Sequence, residues 1–131
     1  MIDYIDNIDT IKTEHMHGFC VGWKAPLSAG RLHELLGGSS HFIVAFAEGR
    51  AVGFISALTD GVNSSFIPLL EVLPEWQGQG IGSELMRRML DKLGGISNVD
   101  LTCDPDMQGF YGRFGMQPSR GMVLRKYLDC S

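Results

Sequence analysis

The sequence predicts an α/β or α+β fold with a mixed sheet, and three observations carry that expectation. Strand-like and helix-like segments interleave along the chain instead of separating into blocks. The apolar, β-rich runs 41–47 and 51–58 flank Glu48-Gly49-Arg50, which reads as a hairpin. The apolar run 66–73 passes through a glycine-rich turn into the strongly periodic helical run 83–93.

Taken in order, residues 9–19 predict a weak helix with Ile8, Ile11 and Phe19 as apolar anchors. Pro26-Leu27-Ser28 begins a better one. Ser28 is its N-cap candidate, Leu32, Leu35 and Leu36 share a face, and Gly37-Gly38 end it. In the strand 66–73, Pro68 removes one ladder donor and so belongs at an edge, a bulge or a strand start. The helix after the glycine turn is the most strongly marked element. Ile81, Leu85, Met86, Met89, Leu90 and Leu93 make its apolar face, Glu84 and Arg88 pair opposite, and Gly94 stops it. Residues 99–103 read as a short buried strand. Asp104-Pro105 then reads as an N-cap followed by proline at the first helical position. Met107, Phe110, Tyr111 and Phe114 follow at helical spacing up to Gly115, and 122–128 alternates as a final strand.

The turn itself is Val-Leu-Pro-Glu-Trp-Gln-Gly-Gln-Gly-Ile-Gly, residues 72–82. Gly78, Gly80 and Gly82 crowd a strand-to-helix junction, where the backbone can take positive φ and a ligand can approach closely. A helix start also gathers unpaired N–H groups and the positive end of the dipole, which suits a phosphate. A Walker A loop requires Lys after its last Gly, but Gly82 is followed by Ser83 and Glu84. A dinucleotide fingerprint needs G-x-G-x-x-G near the start of a βαβ unit. Here the order is G-x-G-x-G, about halfway along the chain. The helix start with its glycines proposes a pyrophosphate site made mostly of backbone, the alternative being a tight turn with glycines for packing.

Gln77-Gly78-Gln79-Gly80-Ile81-Gly82 resembles the Q/R-x-x-G-x-G/A signature of the GNAT-type N-acetyltransferases. Val72, Pro74-Glu75-Trp76 and the downstream Phe110-Tyr111-Gly112-Arg113-Phe114-Gly115-Met116 resemble that family's flanking segments. The resemblance implies the GNAT fold, a central mixed and mostly antiparallel sheet flanked by helices, as one domain over 1–131. It implies acetyl-coenzyme A as co-substrate. The pyrophosphate would lie on Gln77, Gly78, Gln79, Gly80, Ile81, Gly82 and Ser83. The pantetheine arm would run along the backbone around Leu70 and Val72, like an added strand. One departure is Asp104, where the family often has Asn. A carboxylate repels phosphate, so Asp104 is expected to cap its helix instead.

Acetyl transfer to an amine needs an anchored donor, a neutral amine, a stabilised oxyanion and a protonated leaving thiolate. Tyr111 sits where the family's thiolate-protonating tyrosine does, on a helix face where it also suits the core. Glu71 is the lone carboxylate of its strand and should face away from Leu70 and Val72, which makes it the general-base candidate. The family fixes no base position, and a water chain is the other route. His15, His17 and Trp23-Lys24 fall in the region where the family builds its acceptor pocket. His15, His17 and Cys20 lack a fourth metal ligand nearby, so no metal is expected. Cys103 has no neighbouring His, so no nucleophilic triad is apparent.

The bulk properties agree with this reading. A chain of 131 residues suffices for a hydrophobic core. Its net charge of −4 argues against nucleic acid as the main partner. The run 42–47 is far too short to cross a bilayer, and the first residues lack the pattern of a signal peptide. Three cysteines at unrelated spacings fit a reduced, cytoplasmic protein. Oligomeric state stays open, with a homodimer one option, and so does the identity of the amine. An acyl-coenzyme A sensor without turnover would share the glycine turn but would not need Tyr111 or Glu71.

Overall fold

A computed structural model describes residues 1–127. The chain divides into two compact units, Met1–Asp100 and Leu101–Ser131. The first holds a five-stranded sheet in the order β1 (Asp3–Ile5), β2 (His41–Ala47), β3 (Arg50–Thr59), β4 (Ser64–Val72) and β5 (Asn98–Asp100). The pairings from β1 to β4 are antiparallel, whereas β4 and β5 run parallel. This is the mixed, mostly antiparallel sheet that the family resemblance implies.

The hairpin forms where expected, turning through Glu48 (φ 53°) and Gly49 (φ 78°). Two left-handed residues suit the twist of a tight hairpin, and here a non-glycine takes one of the positions. Pro68 falls in a bulge: Leu58 pairs with Phe66 and Ser56 with Leu69, so Ile67 and Pro68 together oppose Ala57. A missing donor costs nothing at a position already outside the ladder.

Helix α1 (Ala29–Gly38) starts at Ser28, whose Oγ accepts the Arg31 N–H at 3.2 Å. Its Leu32 and Leu36 are buried with Phe42, Val44, Phe54 and Met16. Helix α2 (Ile81–Lys92) buries Ile81, Leu85, Met86 and Met89, and Glu84 takes both Arg87 (3.0 Å) and Arg88 (2.8 Å). A side-chain carbon on Gly53 of β3 would meet the Leu85 side chain at 3.3 Å and the Glu71 carbonyl at 3.2 Å. That position must therefore stay bare for β3, β4 and α2 to approach.

Several expectations are corrected. Residues 9–19 do not form an α-helix. Two 3-10 turns, Ile8–Thr10 and Thr13–Met16, stand there, separated by the extended Ile11. Asn7 Oδ1 accepts the Asp9 N–H, and Thr10 Oγ1 donates to the Asn7 carbonyl. His15 Nδ1 accepts the Lys12 N–H at 3.0 Å. Side chains that satisfy the backbone locally compete with a continuous helix. Strand β1 escaped the sequence reading because three residues carry no readable period.

The strand expected at 99–103 is Asn98–Asp100, and Cys103 is exposed beyond it instead of lying on a buried strand. In the second unit a 3-10 turn, Pro105–Met107, precedes a short α3 (Gln108–Gly112). Asp104 stands at the N-cap position, but its side chain makes no capping bond. The turn closes instead through the Met107 N–H and the Asp104 carbonyl at 2.9 Å. Residues 122–127 form no strand, and Met122 and Leu124 are exposed. Alternation is only half of a strand, and a ladder partner is the other half. Leu128 and Cys130 lie outside the described residues.

Candidate active site

β5 pairs with β4 only at Ser64, Ser65 and Phe66. From Ile67 to Val72, that edge of β4 has no strand partner among the described residues. Leu69, Leu70, Glu71 and Val72 are all half-buried. An unpaired row of N–H and C=O groups is a template for an extended ligand. Leu70 and Val72 stand on that edge.

The chain leaves β4 through Leu73, which is buried, and a 3-10 turn at Pro74–Trp76. Gln77 then folds back, its Nε2 donating to the Val72 carbonyl at 3.0 Å. The side chain of Gln77 thus ties the turn to the strand end, a role its motif position does not announce. Gly78 and Gly80 follow at φ +80° and +86°, and a side-chain carbon at either would meet nothing within 4 Å. Packing does not demand glycine there. The left-handed backbone does, and it leaves open space over the turn.

Gly80 is the N-cap of α2 and offers no side chain to cap it. The first turn thus presents N–H groups of Ile81 and Gly82 at the positive end of a helix of 12 residues. Ile81 buries its side chain, and Gln79 is exposed. Glu84 lies in the same first turn, but Arg87 and Arg88 match its charge. This geometry fits a pyrophosphate. The backbone of 78–82 would hold it, with Ser83, half-buried on the first helical turn, as the adjacent hydroxyl.

Glu71 pairs across the ladder with Phe54 and is half-buried. Its carboxylate accepts the Cys20 N–H on both oxygens, at 2.9 Å each, and the Val21 N–H on Oε2 at 3.2 Å. Cys20 has a left-handed φ of 65° and is buried; burial pushes its thiol pKa up. On the far side of this loop, an Arg50 Nη2 N–H donates to the His17 carbonyl. The sequence reading missed both attachments, because a loop N–H or C=O bound by a distant side chain leaves no local pattern.

In the second unit, Tyr111 is half-buried on α3 and packs edge-on against Phe110, with centroids 5.0 Å apart. Burial, followed by the nearby Cys103, raises its pKa above the ordinary tyrosine value. The phenol accordingly keeps its proton at neutral pH, as a proton donor must. His15 stands edge-on to Phe46 at 5.1 Å, and Trp23 and Lys24 are exposed. Among the described residues no group of three or more His, Cys, Asp or Glu is arranged to hold a metal ion. No helix among them is long and apolar enough to cross a membrane.

The sequence profile of the Acetyltransferase (GNAT) family matches residues 8–116. The chain belongs to that family. It is 39% identical over 82 residues to serotonin N-acetyltransferase 2, chloroplastic, of Oryza sativa subsp. japonica. That match covers 58% of this chain and 41% of the rice protein, so the chain spans about two fifths of that relative. The crystal structure of a candidate acetyltransferase from Deinococcus radiodurans R1 superposes with a TM-score of 0.93 at 38% identity, covering 96% of this chain and 89% of that one. An aminoglycoside N-acetyltransferase solved with coenzyme A superposes at 0.69, with 16% identity and coverage of 96% and 94%. At that identity it speaks for the fold alone. The GNAT chain is thus placed by profile, by relatives that are N-acetyltransferases, and by a sheet shared with solved acetyltransferases.

Proposed function

We propose that this GNAT chain transfers the acetyl group of acetyl-coenzyme A to a primary amine of a small molecule or peptide, by direct attack within a ternary complex. The observation that carries the reading is the run of open β4 edge at 67–72 into the left-handed turn at Gly78 and Gly80. The edge suits the amide-bearing arm of the donor, and the turn suits its pyrophosphate. The family profile crosses from the first unit into the second, which supports reading 1–131 as one domain. The free thiols of Cys20 and Cys103 support a reducing compartment such as the cytoplasm.

The chain supplies the chemistry in three parts. Backbone at Leu70, Val72 and 77–83 anchors the donor, which is where most of the entropy of a two-substrate reaction is met. Glu71 is the proposed base. A carboxylate has about four acceptor sites, and the loop amides leave Oε1 with one, toward the amine or a bridging water. Tyr111 gives its proton to the departing sulfur.

Glu71→Gln is expected to lower kcat/KM by about 10²-fold near neutral pH. The deficit should shrink as pH rises and more of the amine is already neutral. A small effect independent of pH contradicts the base role. No step calls on a metal, so turnover is expected to survive EDTA. Stoichiometric tightly bound zinc in the purified protein contradicts that.

The decisive experiment is a panel of primary amines assayed for release of the coenzyme A thiol. Serotonin heads the panel because the rice relative bears its name. Amine-dependent thiol release supports the proposal. Tight acetyl-coenzyme A binding without release from any amine points to a sensor.

A further inference from the structure

We propose that Arg50 and Glu71 form a two-point clamp on residues 17–21, and that this segment is the acceptor-side wall of the site. The proposal rests on the acetyl-transfer reading above; it adds Arg50 as a positioning residue and gives Glu71, the proposed base, a second role.

The two grips are opposite in kind. At the start of β3, Arg50 donates Nε–H to the Ala51 carbonyl at 3.2 Å and an Nη2 N–H to the His17 carbonyl. At the end of β4, Glu71 accepts the Cys20 and Val21 N–H groups. A cation thus holds a carbonyl and an anion holds amides, and charge-assisted bonds of this kind are the stronger ones. Within the clamped segment the backbone is left-handed twice, at Gly18 (φ 89°) and at Cys20 (φ 65°). A non-glycine residue stays in that region only when its surroundings hold it there. A side-chain carbon on Gly18 would lie 3.0 Å from Arg50 Nη2, so the guanidinium rests directly on the bare backbone.

The clamp fixes which way the segment faces. Cys20 turns its side chain inward at 4% exposure, and Val21 stands outward at 58%. Glu71 lies between Leu70 and Val72, whose backbone edge is the proposed track of the donor. The clamped segment therefore borders the place where the acetyl group would lie. Val21 is the exposed residue of the segment bonded to the Glu71 carboxylate, so it would stand beside an amine held there.

Arg50 provides the clean test, because it is neither the proposed acid nor the proposed base. Arg50→Met is expected to raise the amine KM by about tenfold. Acetyl-coenzyme A affinity and the pH profile of kcat should stay within about twofold. Amide hydrogen exchange at Cys20 and Val21 should accelerate in Arg50→Met and in Glu71→Gln. Arg50→Lys keeps one charged donor and should recover part of both effects, and it supplies the reading if the Met variant does not fold. Unchanged exchange at Cys20 and Val21 in folded variants overturns the clamp. Faster exchange with an unchanged amine KM overturns the acceptor wall. Exchange is read on the protein itself, so the clamp is decided even where no amine is turned over. That separate result would count against the transferase reading.

Discussion

Tyr111→Phe is expected to lower turnover by about 10²-fold or more, equivalent to roughly 3 kcal/mol of transition-state stabilisation. The substitution keeps the ring that packs against Phe110 and removes only the hydroxyl. A simple thiol has a pKa of about 8.5 and a phenol about 10, so the donor serves by position more than by strength. Acetyl-coenzyme A affinity should change little, because the hydroxyl matters once charge develops on sulfur. Burial raises the Tyr111 pKa, which favours the protonated acid. The activity lost to its ionisation should therefore appear only at pH above the ordinary tyrosine range. Wild-type turnover in the Phe variant would leave Tyr111 a packing residue, with solvent protonating the thiolate. A wild type that binds acetyl-coenzyme A and turns over no amine favours the sensor.

Gly80→Val is expected to weaken acetyl-coenzyme A binding by about 10²-fold, roughly 2.7 kcal/mol, while the fold survives. Two effects combine. A β-branched residue at φ +86° is strained by about 1–3 kcal/mol, and the turn would relax away from the geometry that gathers its N–H groups. The new side chain would also enter the open space over the turn, where a carbon on Gly80 meets nothing within 4 Å. That same openness is why no core packing is disturbed. Calorimetric titration checks it, with circular dichroism confirming the fold. Unchanged affinity in a folded variant removes the phosphate site from the turn.

What was legible in the sequence followed from period and punctuation. Helix α2 declared itself because Ile81, Leu85, Met86 and Met89 repeat at helical spacing, with glycines at its start. The β2–β3 hairpin was legible from two apolar runs around one glycine. Pro68 signalled an edge, a bulge or a strand start because proline removes a donor wherever it stands, and the structure makes it a bulge. The failures share a different cause. The expected helix at 9–19 lost to side chains that bond their own backbone, and the strand at 122–128 had alternation without a ladder across its described part. Strand β1 is too short to show a period.

The site divides along the same line. The left-handed turn was readable because a positive φ restricts residue type, and Gly78 and Gly80 take it. Glu71 was found as a lone carboxylate on a strand, but its hold on Cys20 and Val21 was not, since it joins residues 50 positions apart or more. Arg50 was read only as part of a hairpin turn, although its guanidinium reaches back 33 positions to His17.

The central claim is that the open β4 edge and the glycine turn together receive acetyl-coenzyme A. Amide resonances followed through a titration with acetyl-coenzyme A test this residue by residue. The largest shifts are expected at Gly78, Gly80, Ile81 and Gly82 for the pyrophosphate, and at Leu70 to Val72 for the arm. Saturable binding that leaves these amides unmoved, or no binding at all, would contradict the account.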